Sequence, residues 1–316
     1  MSTSSERNPS LPSKEELIRA VRAAGWLLEQ ETETTLQESG FFTIPNRSFP
    51  DPDDSTVSRE VDVYGRRVFY QHEELALSIE ARIIAECKQS SQPYVLIGRP
   101  LRESERYRDR IEEIYPHREV EVEFVDWSTG SKGIRSIPAR RFLDLQEIPY
   151  APWNDDFLAT QMTRLDRKKE WLADNRGIFT SITVPLAKSV HYFRDQWPAH
   201  RGPAHSRGRS MTSSNSRSHF IFMYPMVVTS SPIFKLDVAQ DELDPKIVPW
   251  AAMTREVLTS SISGVFNFDV VNFDHLKDYL SWRIMGFMGE VARKAENDPE
   301  AFVSWRDLGP SAGEDV

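Results

Sequence analysis

The sequence predicts an α/β domain in which helices flank a mixed β-sheet, and three observations predict it. Short apolar segments of strand length are interspersed with stretches of helical periodicity along the whole chain. Both halves carry such strands, so the second half reads as an extension of the same sheet. Hydrophobic residues make up 39% and charged residues 28% of the 316 positions, and eight Trp and seventeen Phe allow a sizeable core.

Residues 1–12 are Ser- and Pro-rich, lack the apolar stretch of a secretory signal, and are expected to be a disordered tail. Ser13 and Glu16 have capping-box spacing just before Leu17, Ile18 and Val21, which predicts a helix start. Gly25 should interrupt that helix, and a second should run from Trp26 to Ser39 and stop at Gly40. A short apolar run, Phe41 to Ile44, leads into a Pro- and Asp-rich segment, PNRSFPDPDDSTVS, read as a loop. Strands are expected from Arg59 to Val63 and on toward Tyr70, from Ala81 to Lys88, and from Tyr94 to Gly98. Residues 101–114 are strongly charged and read as a helix. Glu119 to Val125 alternates Glu with Val and Phe, a half-exposed strand whose glutamates form a solvated edge.

In the second half, helices are expected at about 154–174 and 178–195. Residues 196–218 carry four arginines (Arg201, Arg207, Arg209, Arg217) and no acid, and read as a mobile basic loop able to contact phosphates. Phe220 to Thr229 and Ile233 to Val238 look like a hairpin turned at Ser230 to Pro232. Val265 to Val271 reads as a strand, and Asp274 to Ala295 as a long helix with its apolar stripe in the core. The expected division is a tail over 1–12, a core over 13–150, and an α/β extension over 151–308.

Composition narrows the function. Cys87 is the only cysteine, so no intrachain disulfide and no cysteine-based zinc site is possible, which fits a reducing cytoplasm. No apolar run reaches the ~20 residues of a membrane span. The net charge is −9, so any nucleic-acid contact must use a local basic patch. No G-x-S-x-G elbow, P-loop or G-x-G-x-x-G fingerprint is present. His191, His200, His205 and His219 lack the spacing of a helical zinc motif, Trp197 reads as a partly buried aromatic, and Asp269 as a strand-end hydrogen-bonding acid.

Chemistry concentrates in Glu60-Val61-Asp62 and Glu86-Cys87-Lys88. Alternate residues of a strand share a face, so Glu86 and Lys88 project together, as do Glu60 and Asp62, while Cys87 points away. Carboxylates embedded in apolar strands must be paired, hydrogen-bonded or metal-bound. Asp62 and Glu86 can hold a hard cation such as Mg²⁺ with the backbone carbonyl of Cys87 as a third ligand. Lys88 can reach the attacking water or a scissile phosphate, and Glu60 can be a further ligand or orienter. The plain alternative is a structural ion pair on a sheet face.

These residues resemble the signature of the PD-(D/E)xK, or restriction-endonuclease-like, nuclease superfamily. The wording around them, Arg-Glu-Val-Asp and Glu-Cys-Lys-Gln-Ser-Ser-Gln-Pro-Tyr, is similar to Mrr-type and related bacterial defence nucleases. The resemblance covers about residues 26–98, where a helix precedes the strand pair. It implies a restriction-endonuclease-like fold over the core, Mg²⁺ or Mn²⁺ as cofactor, and phosphodiester hydrolysis of DNA rather than RNA. It also implies a further acid from the preceding helix, Glu29 or Glu31, and a homodimer if both strands are cut. Val61 stands where the nominal motif has proline. The long separation of Asp62 from Glu86 predicts an excursion near Gln71 to Ser78. The competing class is a catalytically inactive protein of this fold that binds nucleic acid or serves as an interaction module.

Overall fold

The capping box forms as the spacing predicts. The Ser13 hydroxyl accepts from the Glu16 N–H at 3.2 Å, and the Glu16 carboxylate accepts from the Ser13 N–H at 2.8 Å, opening α1 (Lys14–Ala23). Gly25, at φ 90°, turns the chain into α2 (Trp26–Glu38), and Gly40, at φ 81°, follows its end. The protein is described by a computed structural model covering residues 11–102, 112–116, 119–125, 128–149, 157–196 and 218–303. The terminal tail up to residue 10 and the arginine-bearing segment from 197 to 217, with Trp197, His200 and His205, lie outside the described residues.

Strands β1 (Phe42–Pro50), β2 (Ser58–His72) and β3 (Leu77–Lys88) form an antiparallel meander, followed by β4 (Tyr94–Pro100) and β5 (Glu112–Ile114). β6 (Glu119–Val125) and β7 (Lys132–Pro138) pair as a separate two-stranded sheet ahead of α3 (Ala139–Phe142). Next come β8 (Phe157–Arg167), β9 (Trp171–Asp174) and α4 (Val184–Asp195). β10 (Ser218–Thr229), β11 (Ile233–Asp237), β12 (Lys246–Val248), β13 (Trp250–Leu258) and β14 (Ser263–Asn272) follow. The chain then forms α5 (Leu276–Tyr279), a π-helical turn (Leu280–Met285) and α6 (Gly286–Asn297), which lie end to end. The fold is a mixed α/β arrangement, with one twelve-stranded sheet drawn from both halves: ten strands run in the order β1-β2-β3-β10-β14-β13-β8-β4-β11-β12, and β5 and β9 pair off this path with β10 and β8. Among the described residues, no helix is long and apolar enough to cross a membrane.

β10 is central, parallel to β3 on one side and to β14 on the other, and nearly every residue in it is buried. Its odd- and even-numbered side chains feed two cores. Phe220, Phe222, Met226 and Val228 pack with α2 and the C-terminal helix. Ile221, Met223 and Val227 pack with Leu186, Val190 and Phe193 of α4. Pro225 cannot donate to a ladder. It sits where β10 changes partner, between the β5 pairing at 221–223 and the β14 pairing from Met226 onward.

Several sequence expectations are corrected. Residues 45–50 are not a loop but the body of β1, held by β2. Residues 157–174 are the β8–β9 hairpin rather than a helix, because pairing with β4 overrides the local helical pattern. Residues 112–114 form β5, and the rest of the expected 101–114 helix is outside the described residues apart from 101 and 102. No excursion separates Asp62 from Glu86. The two strands are simply long, with a bulge at Phe69 and a tight turn closed by the Ala76 N–H donating to the Glu73 carbonyl. β10 and β11 are not a hairpin: three residues separate them in sequence, yet they stand five positions apart in the sheet. The sheet therefore curls back on itself, with the α4 core inside the curl.

A buried charge cluster holds α4 to that curl. Lys188 Nζ lies 2.7 Å from Asp51 Oδ1 and 2.6 Å from Asp53 Oδ2, and Arg59 also bonds Asp51. Asp53 Oδ1 accepts from Thr259, Ser260 and Ser261, tying the β13–β14 turn to the same point. Burial alone would raise the Asp51 carboxyl, but Lys188 and Arg59 outweigh it and hold it at about 2. A depressed carboxyl contributes stability that is present above its unfolded value near ~4 and lost as pH falls through the folded one. We expect Lys188→Met to lower unfolding free energy by about 3 kcal/mol at pH 7 in urea titrations, because it strands buried Asp51. That difference should shrink between pH 4 and pH 2.

Candidate active site

The β2–β3 ladder runs through Tyr64↔Ile84 and Val63↔Ala85 and stops there. The same register places the next pair, Asp62 and Glu86, opposite each other. At this point a side chain replaces the backbone partner, and Asp62 Oδ2 accepts the Cys87 N–H at 2.6 Å. Without it, that N–H would be left at the end of the ladder with no acceptor from β2. In an extended strand the N–H and C=O of one residue point to the same side, so the Cys87 carbonyl also faces β2. Cys87 directs its thiol the other way, into the α2 core, where S–H donates to Thr32 Oγ1 at 3.6 Å. Burial pushes that thiol well above its usual range, so it stays a neutral core group.

Glu86 and Lys88 do share a face, and Lys88 Nζ sits 2.5 Å from Glu86 Oε1, with side chains 27% and 13% exposed for Lys88 and Glu86. Asp62 and Glu86 therefore each commit one oxygen to a protein donor. Among the described residues nothing donates to Asp62 Oδ1 or Glu86 Oε2. Of the two helical candidates, the structure brings Glu29 to the site. It borders the stripe Leu28, Thr32, Thr35 and Leu36 that faces the sheet, whereas Glu31 is exposed and lies 3.8 Å from Arg22. Glu60 is more exposed than Asp62, but its charge still reaches Asp62 and Glu29 and raises both. Val61 and Val63 pack into opposite cores, so β2 turns at Asp62 and leaves Glu60 exposed.

The electrostatics follow from three carboxylates around one ammonium. Burial, then the Asp62 charge, push the Glu86 carboxyl up to about 7 against the pull of Lys88. Burial also raises Asp62, opposed by the Cys87 N–H and Lys88. Glu29 is raised by burial and by Asp62. Burial works against the Lys88 ammonium, but Glu86 and Asp62 prevail and raise it, so it is a charged donor. The arrangement is short of positive charge. Among the described residues no group of three or more His, Cys, Asp or Glu side chains is arranged to hold a metal ion. A divalent ion would thus take two carboxylates here and complete its shell with the Cys87 carbonyl, water or substrate oxygens.

Other residues fall elsewhere or were missed. Asp269 accepts from the Tyr279 hydroxyl at 2.6 Å, and His191 pairs with Asp195 at 3.3 Å, so neither joins the site. Tyr94 was not legible as a neighbour. Burial raises its hydroxyl, while the charges of Arg164 and Lys88 act to lower it. Arg164 reaches this position only through the β4–β8 pairing, Tyr94↔Arg164.

A carboxyl raised to about 7 contributes stability that is complete below its unfolded pKa and lost as pH rises through the folded one. In chelator, Glu86→Gln should therefore melt higher than wild type at pH 8 and show a smaller difference at pH 5, in calorimetric scans at the two pH values. No protein-family model matches the chain, and searches of curated proteins and of solved structures find no match.

Proposed function

We propose that this chain is a Mg²⁺- or Mn²⁺-dependent nuclease of the PD-(D/E)xK kind, hydrolysing phosphodiester bonds, with DNA the expected substrate. The observation that carries this reading is the end of the β2–β3 ladder, where Asp62 accepts the N–H of Cys87, the residue after Glu86, and Lys88 bonds Glu86. Two buried carboxylates with raised pKa values and free second oxygens fit a divalent ion, because ionising both without one is unfavourable. Asp62, Glu86 and the Cys87 carbonyl would hold it, and Glu29, whose carboxyl feels the Asp62 charge, is the acid that α2 would add. When bound, the ion supplies charge neutralisation at the phosphate and a more acidic water.

The chain's own groups do the rest. Asp62 fixes the strand end through Cys87, which holds the carboxylates in register. Lys88, charged and on the Glu86 face, donates to the attacking water or to a phosphate oxygen as negative charge builds there. The order of elements, α2 ahead of a strand pair bearing Asp and then Glu-x-Lys, supports the restriction-endonuclease-like reading. Cutting both strands of a duplex would require two such sites, so a homodimer belongs to the proposal, as does a role in defence against foreign DNA.

The Glu86–Lys88 contact would also be complete as a structural ion pair in an inactive protein of this fold. A plasmid-nicking assay in Mg²⁺ and Mn²⁺, with an RNA of similar length alongside, separates the two. Wild type should nick, and Lys88→Ala, Asp62→Asn and Glu86→Gln should each be slower by about 10²–10³-fold. Equal nicking by wild type and Lys88→Ala would remove the assignment. Nucleic-acid binding without any cutting would favour the inactive module.

A further inference from the structure

A net charge of −9 and an acidic site both repel phosphate, so a nuclease on this chain needs positive charge close to Lys88. The expected source, the segment around Arg201 to Arg217, lies outside the described residues. The structure offers another. The base of the β8–β9 hairpin hydrogen-bonds to the loop that follows Lys88. The Leu165 N–H donates to the Pro93 carbonyl at 2.9 Å, Gln92 Nε2 donates to Asp166 Oδ1 at 2.5 Å, and Tyr94 registers with Arg164. The hairpin base is thus bolted beside the site.

Its tip is basic and open. Residues 164–176 carry five basic and three acidic side chains, a local excess of positive charge on an acidic protein. Arg164 and Arg176 are spent on Asp174, at 3.7 and 2.9 Å. Arg167, Lys168 and Lys169 are exposed, and among the described residues none pairs with an acid. The Arg167 guanidinium sits 5.5 Å from the Trp171 ring centroid, and Trp171 is 52% exposed. Cations beside an exposed aromatic on a projecting hairpin suit a backbone of phosphates with bases alongside. A hairpin that served only to cap the sheet would have no need for an exposed tryptophan at its tip.

We propose that the β8–β9 tip is the arm that grips the nucleic-acid backbone, with Arg167, Lys168 and Lys169 bonding phosphates and holding the strand across Lys88. The arm rests on the nuclease reading for its purpose, but its binding is measurable without cleavage. The test uses the full chain in EDTA and fluorescence anisotropy with labelled duplex DNA, single-stranded DNA and RNA of one sequence, at several salt concentrations. Arg167→Gln/Lys168→Gln/Lys169→Gln is compared with a control of equal charge change on other elements, Lys132→Gln/Lys277→Gln/Lys294→Gln.

The hairpin variant should bind about tenfold or more weakly, and its slope of log affinity against log salt should flatten by about 2–3. The control should bind like wild type, and both variants should melt near it. Loss with any of the three nucleic acids supports the arm and identifies its substrate. If the hairpin variant and the control bind alike, the arm is refuted. If wild type still nicks plasmid while the hairpin variant nicks and binds equally well, this inference alone falls. If wild type neither binds nor cuts, the nuclease reading falls with it.

Discussion

The structure turns on one constraint: two carboxylates facing each other at the end of a strand pair, largely out of water, must be compensated. Asp62 and Glu86 meet that demand in different ways. Asp62 takes a backbone N–H that the ending ladder leaves over, and Glu86 takes the ammonium of Lys88. The compensation is partial, because Glu29 and exposed Glu60 add to the negative field. Both carboxyls are raised as a result, chiefly by burial. Asp51, held by both Lys188 and Arg59, settles instead well below its ordinary value.

The rest of the fold serves to keep that strand end in place. β3 is locked between β2 and the almost wholly buried β10, so Glu86 and Lys88 cannot slip register without turning apolar residues outward. α2 covers one face and presents Glu29, while α4 covers the other and is fastened by Lys188. The curl of the sheet returns β4 and β8 to the same end, which is why a loop only five residues long, 89–93, links Lys88 to the strand that supports the basic hairpin. The acid cluster and the cations that would offset substrate charge thus share one rigid framework. Precise placement of this sort is better provided by strands than by a free loop.

The two charge clusters also divide labour. Asp51, Asp53, Arg59 and Lys188 join three distant segments and satisfy one another almost completely, so they stabilise. Asp62, Glu86 and Glu29 face a single lysine and do not. The π-helical turn between α5 and α6 belongs with the first kind. It buries Arg283 with its Nε 3.7 Å from Asp269.

The sequence by itself determined the helical entry, the apolar strands and the shared face of Glu86 and Lys88. Those features are local: a capping box, glycines at helix ends, and a period-two rule that puts Glu86 and Lys88 on one face regardless of partner. It could not choose between Glu29 and Glu31, because that choice depends on which stripe of α2 meets the sheet. It also turned β8 and β9 into a helix and paired β10 with β11. Strand partners are fixed by hydrogen bonds between segments far apart in sequence, and a short apolar or charged run carries no mark of which strand it will meet. The position of the basic β8–β9 hairpin against the loop after Lys88 was therefore decided only by the tertiary structure, through the parallel and antiparallel ladders that curl the sheet back on itself.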